Sequence, residues 1–121
     1  QNKIKLLSKL KPEDIYNKLV DSDCLVHSSY YETFGVVLIE ALATGIPFIS
    51  TKSGGPEDIF EQGLGYLVEK DDINKLSDAM LNFLQNKNTF NKSFIRKYAF
   101  NKYSPKSISL NLKNIYSSII N

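Results

Sequence analysis

The twelve residues Val36-Val37-Leu38-Ile39-Glu40-Ala41-Leu42-Ala43-Thr44-Gly45-Ile46-Pro47 constrain this chain more than any others. Gly45 suits the position just past a helix, and Pro47 stops one. The spacing predicts a helix from Gly35 to Thr44. Apolar residues cover every side of it, the pattern of a helix buried inside a fold. A carboxylate on a buried helix is costly unless something pairs with it. Glu40 therefore needs a reason to be there.

A second carboxylate, Glu32, stands eight positions earlier, just before the predicted helix. Eight residues of helix advance about 12 Å. A helix N-terminus offers free N–H groups and the positive end of a dipole, so it favours phosphate. Carboxylates accept hydrogen bonds from sugar hydroxyls. The spacing suits a diphosphate near Phe34-Gly35-Val36, with a sugar ring toward one acid and a ribose toward the other. The alternative is a capping acid at Glu32 and a paired core acid at Glu40.

The rest of the chain alternates strand and helix. Ile4 to Leu7 reads as a short strand. Pro12 opens a helix at its first position, with Glu13 and Asp14 in the first turn. Its face is Ile15, Tyr16, Leu19 and Val20. Cys24 to His27 and Phe48 to Thr51 read as strands. Gly54-Gly55 makes a turn, and Pro56 opens a short helix through Phe60. Tyr66 to Val68 is a further strand. Ile73, Leu76, Ala79, Met80, Phe83 and Leu84 repeat at helical spacing. Asn86 to Asn91 reads as a loop and Phe94 to Phe100 as a short helix. Pro105 starts a last helix with Ile108, Leu112, Ile115 and Ile119 on one face. The expected fold is α/β, a Rossmann-like parallel sheet with helices on both faces. In such sheets ligands bind at the carboxyl ends of strands, and Glu32 follows such an end.

Composition excludes several functions. The 121 residues allow one domain, here 1–121, with a modest core. A net charge of +2, with lysines scattered apart from a mild concentration between Lys87 and Lys106, gives no footprint for nucleic acid. That concentration is read as a solvated face, and a peripheral seat on the inner face of a membrane stays open. Cys24 is the only cysteine, so no internal disulfide forms, which fits a reducing, cytoplasmic setting. No apolar run is long enough to span a bilayer. Asp21-Ser22-Asp23 spells D-x-D but precedes a strand, so it reads as a helix end and a polar turn. His27, the only histidine, reads as a satisfied, partly buried side chain. Tyr30-Tyr31 reads either as a sugar-stacking pair or as the edge of the core.

Glu32-Thr33-Phe34-Gly35-Val36-Val37-Leu38-Ile39-Glu40-Ala41-Leu42-Ala43-Thr44-Gly45-Ile46-Pro47 resembles the E-x-F-G-x-x-x-x-E-A-x-A-x-G-x-P signature of retaining GT-B glycosyltransferases of the GT4 type. Asp23-Cys24-Leu25-Val26 with Ser28-Ser29 resembles the strand and Pro-Ser turn before the first Glu, with Ser28 in place of Pro. Ser53-Gly54-Gly55-Pro56-Glu57 is similar to the family's Gly-Gly-x-x-Glu loop, and Gly65-Tyr66-Leu67-Val68 to the strand after it. The likeness runs from about Ile4 to Leu84.

The resemblance implies roles. Glu32 contacts the donor sugar and steadies charge near the reacting centre. Thr33 lies within the donor segment, and Phe34, Gly35 and Val36 offer backbone N–H groups to the sugar and diphosphate. Glu40 binds the ribose hydroxyls. It implies a nucleoside diphosphate sugar, UDP- or GDP-linked, as donor substrate, with no resident cofactor and no catalytic metal. It implies a carbohydrate or lipid-linked acceptor, and the richness in Lys, Asn and Ile, which suggests an AT-rich bacterial genome, adds the expectation of a role in surface polysaccharide or glycolipid synthesis. The family's upstream Arg and Lys, and its N-terminal acceptor domain, find no match here. The expectation is a C-terminal donor-binding domain cut partway in. The family's last helix often packs back toward the first domain, so its apolar surface is expected to be exposed here. The alternative is a non-catalytic nucleotide-sugar binding or partner-docking module.

Overall fold

The computed structural model describes residues 3–120. Three strands, β1 (Leu25–His27), β2 (Phe48–Thr51) and β3 (Gly65–Val68), form one sheet in the order β1-β2-β3. Both pairings are parallel, with Leu25 beside Phe48 and Phe48 beside Gly65. Helices α1 (Pro12–Val20), α2 (Val36–Thr44), α3 (Gly55–Ile59), α4 (Ile73–Asn86), α5 (Lys92–Tyr103) and α6 (Pro105–Ile120) surround or extend it. A 3₁₀ turn, Lys87–Thr89, joins α4 to α5.

Side chains alternate across a strand, so β2 serves two cores. Phe48 packs with Leu38 and Leu42 of α2, Ile59 of α3, and Ile95 and Ala99 of α5. Ile49 points the other way and packs with Val68 and with Ala79 and Phe83 of α4. Helices therefore cover both faces, as the alternation of elements predicts. α1 rests on α2 through Leu19, Ala41 and Ile46. Asp72 accepts from Lys75 N–H at 2.9 Å and Asn91 from Phe94 N–H at 3.0 Å, which caps α4 and α5.

Two expectations need correction. Ile4 to Leu7 forms no strand, and Ile4 and Leu6 are 76% and 93% exposed. A strand needs a neighbour for its N–H and C=O groups, and among the described residues no other strand pairs with this segment. α2 is not buried all round. Leu38, Ala41 and Leu42 are buried, while Val36, Glu40 and Ala43 are exposed along its outer side. On α4, only Ala79 and Phe83 of the apolar repeat are fully buried, and Ile73, Met80 and Leu84 are exposed. β1 is an edge strand there, and a groove of about 410 Å³ between it and α4 is lined by Cys24, Val26, Ile49, Met80, Phe83 and Leu84, among others.

α6 packs on α5, and no residue of it is buried. Ile108, Leu112, Ile115 and Ile119 all lie exposed, as expected of this helix. Among the described residues no helix is long and apolar enough to cross a membrane.

Candidate functional site

The segment between β1 and α2 carries Glu32, Thr33, Phe34, Gly35 and Val36 past the carboxyl ends of β1 and β2. The loop after β2 holds it in place through the main chain. Glu32 N–H donates to Ser53 C=O at 2.9 Å, and Gly55 N–H donates to Glu32 C=O at 2.7 Å. These bonds make Glu32 and Gly54 partners in an isolated parallel bridge.

Only glycine permits this approach. A Cβ on Gly54 would lie 2.7 Å from the Glu32 carbonyl oxygen, and one on Gly55 would lie 2.4 Å from that of Phe34. Gly54 also has φ 119°, outside the range that side-chain-bearing residues adopt readily. Glu57 fixes the loop from below, its carboxylate accepting from Gly54 N–H at 2.9 Å. The Gly54-Gly55 pair is thus the support of the Glu32 segment.

Glu32 uses both carboxylate oxygens. Oε1 accepts from Phe34 N–H at 3.3 Å, and Oε2 lies 3.5 Å from His27 Nε2. Thr33 and Phe34 are exposed, Phe34 by 54%. Gly35 is buried at φ 90° and precedes the first residue of α2, one position later than the sequence suggests for the helix start. Val36 is 58% exposed. No side chain caps α2, so its first turn keeps N–H groups directed to the outside.

Glu40 lies one turn along, on the outer side of α2 and exposed, with no ion pair among the described residues. The expectation of a buried acid fails because the sheet and α5 cover other sides of the helix, and α1 borders this one without closing over Glu40. Beside Glu40 is a pocket of about 200 Å³, walled by Pro12, Ile15, Tyr16, Leu19, Ala43 and Thr44. Sequence reasoning did not place α1 next to Glu40. The apolar face of α1 was the available signal, since it had to dock somewhere.

The remaining candidates fall as follows. Asp21 ends α1, and Ser22 Oγ donates to Lys18 C=O at 2.6 Å, so D-x-D is a helix end and a turn. Tyr30 and Tyr31 are exposed, neither core nor core edge. Their rings meet edge-on at 5.0 Å, and Lys70 Nζ sits 5.1 and 4.7 Å from the two ring centres. Tyr30 donates its hydroxyl to Asp71 at 2.8 Å, which holds the phenol above its usual range. His27 is 17% exposed and contacts both Glu32 and Ser50, so it is partnered, as its setting in the sequence suggests.

The sequence pattern of the family described as "Glycosyl transferases group 1" matches residues 1–102. A 2-deoxystreptamine N-acetyl-D-glucosaminyltransferase of Niallia circulans is 36% identical over 93 residues, 74% of this chain and 24% of that protein. The sucrose-phosphate synthase of Thermosynechococcus elongatus superposes with a TM-score of 0.80 at 26% identity, covering 94% of this chain and 29% of the other. HepE of Anabaena, solved with UDP-glucose, gives a TM-score of 0.80 at 24% identity over 98% of this chain and 33% of the other. This chain therefore spans about a quarter to a third of these relatives. Its parallel sheet and flanking helices match those of GT-B glycosyltransferases, and the chain belongs to the glycosyl transferases group 1 family.

Proposed function

We propose that this chain is the donor-binding domain of a retaining glycosyltransferase, moving a sugar from a nucleoside diphosphate sugar to an acceptor hydroxyl. One observation carries the reading. The Gly54-Gly55 loop clamps Glu32 at the carboxyl edge of the sheet, directly before the uncapped N-terminus of α2, and Glu40 stands on the open side of the same helix.

In this reading the first turn of α2 meets the diphosphate through backbone N–H groups and the helix dipole. Glu32, with Thr33 and Phe34 beside it, faces the donor sugar and steadies charge as the bond to the diphosphate breaks. Glu40 accepts from the ribose hydroxyls, and the pocket walled by Pro12 and Tyr16 takes the adjoining part of the nucleoside. The catalytic effect is positioning and electrostatic stabilisation, with no resident metal. The acceptor is a carbohydrate or lipid-linked alcohol held by a further domain of a longer polypeptide, in a cytoplasmic enzyme of surface polysaccharide or glycolipid synthesis. Relatives of this chain are several times its length, which supports that arrangement.

The test is calorimetric titration with UDP, UDP-glucose and GDP-glucose. UDP-glucose is the first probe because HepE was solved with it. The reading expects saturable binding of at least one donor, weakened about tenfold in Glu40→Gln, the scale of a hydrogen bond to a charged group. Binding of none of the three would sink it. In the complete enzyme, NMR of the first-formed product reads the anomeric configuration, and inversion would remove the retaining mechanism.

A further inference from the structure

His27 ends β1, and the strand register sets it beside Ser50 of β2. Its Nδ1 lies 3.3 Å from Ser50 Oγ, and its Nε2 lies 3.5 Å from Glu32 Oε2. A carboxylate, an imidazole and a hydroxyl thus stand in the order of a hydrolase triad. Ser50 has no exposed surface, so no substrate carbonyl reaches its hydroxyl. Glu32 is the exposed end of this chain of contacts, with 27% of its side chain open. The support runs outward, from Ser50 through His27 to Glu32.

We propose that His27 is a positioning residue for Glu32, donating Nε2–H to the carboxylate while Ser50 fixes the ring. This rests on the reading that Glu32 serves the donor sugar. A bare ring nitrogen facing a carboxylate oxygen is repulsive, so Nε2 carries the hydrogen. In the neutral ring Nδ1 is then an acceptor, and Ser50 supplies the hydroxyl hydrogen.

The surroundings keep this pair to itself. Among the described residues Glu32 is the only carboxylate within 4 Å of a ring nitrogen. Glu57, the next acid on the supporting loop, is tied to Gly54 N–H, and Lys52, the next cation on β2's exit, is paired with Glu69. Oε1 accepts from Phe34 N–H, and Oε2 lies 3.5 Å from His27 Nε2, so the proposed bond would give the carboxylate a second anchor. Such anchoring is what precise presentation to a substrate needs.

Because His27 is the chain's only histidine, ¹⁵N-histidine labelling of the full chain gives one ring pattern. The expected result is a neutral ring protonated at Nε2, with a ring N–H resonance that persists in Ser50→Thr and is lost in Glu32→Ala. A ring protonated at Nδ1, or a pattern unmoved by Glu32→Ala, overturns the proposal and leaves the donor reading standing. UDP-glucose titration then compares His27→Gln, which keeps a donor near the Nε2 position, with His27→Leu. The Gln variant is expected within about threefold of the parent and the Leu variant about tenfold weaker, the scale of one charge-assisted hydrogen bond. Equal affinities for the two, with the fold intact by circular dichroism, overturn it. Loss of the donor reading itself shows separately, as UDP-glucose binding unchanged in Glu32→Ala.

Discussion

Gly55 N–H donates to the Glu32 carbonyl at 2.7 Å, and the Gly55 Cα lies so close to Phe34 that any Cβ there would overlap its carbonyl oxygen. The backbone of one loop therefore sets the position of the other. Gly55→Ala forces the Phe34 carbonyl to move. Overpacking of this kind costs about 1–3 kcal/mol, and the displaced segment carries Glu32 with it. The expected outcome is a lower urea midpoint and UDP-glucose affinity weakened by tenfold or more. A variant with unchanged midpoint and affinity would show that the loop does not hold the segment.

Glu40 and Glu32 are separable. Glu40 is exposed and away from the main-chain bridge, so Glu40→Gln is expected to change stability by less than about 0.5 kcal/mol. Its effect falls on UDP itself, sugar or no sugar. Glu32→Gln is expected to spare UDP affinity and lower turnover of the complete enzyme by about a hundredfold or more, the scale of losing one transition-state electrostatic contact. Paired titrations with UDP and UDP-glucose, alongside initial rates, separate the two. Identical profiles for the two variants would dissolve the assignment of ends.

No metal enters the proposed chemistry, because the N-terminus of α2 supplies the positive field and D-x-D is spent as a helix end. EDTA at millimolar concentration is expected to leave UDP-glucose affinity unchanged. A fall that magnesium or manganese restores would require a cation beside the diphosphate.

Burial pushes the Cys24 thiol from 9.0 up to about 11, with Asp23 adding to the effect. The fold thus favours the neutral thiol. The associated stability is complete below about pH 9 and is lost as pH rises toward 11, because the unfolded chain releases the proton first. The parent protein is expected to lose melting temperature faster than Cys24→Ala between pH 9 and 11. Parallel curves would show that the thiol ionises as freely in the fold as outside it. Alkylation of the native protein at pH 7.5 is expected to be slow for the same reason.

α6 buries nothing of its own. A chain ending at Ser104 is expected to keep the parent's urea midpoint and to bind less of a hydrophobic dye. A clear fall in the midpoint would mean that Ile108, Leu112 and their neighbours contribute to the core after all.

Local chemistry made much of the fold legible. β2 was readable from Phe48 to Thr51 because Pro47 precedes it and Gly54 follows soon after. α4 was readable because its apolar repeat begins at Ile73. Ile4 to Leu7 misled because an apolar run marks a strand only where another strand pairs with it. Glu40 misled for a related reason. Periodicity shows which residues favour burial, but which sides of α2 are covered depends on where α1 and α5 dock. At the site, the E-x-F-G pattern pointed to the segment that the Gly54-Gly55 loop holds. The Ser50–His27–Glu32 contacts were invisible, because they depend on the register that sets His27 beside Ser50. The role of Gly54 and Gly55 as a support was equally hidden, since it arises from main chain meeting main chain.

Both strand pairings are parallel, so the sheet contains no hairpin. Val26 meets Ile49 and Ile49 meets Tyr66, each pair separated by a helix in the sequence. Every sheet contact must therefore wait for a sizeable loop to close, which makes this topology slow to form. Glu32 lies in the first such connection and Gly54 in the second, after β2. A partly folded chain holding α4 or α5 has no site at all. Recovery of donor binding after dilution from urea would then report the arrival of the whole sheet, and a ligand assay would serve as a clock for the last stage of folding.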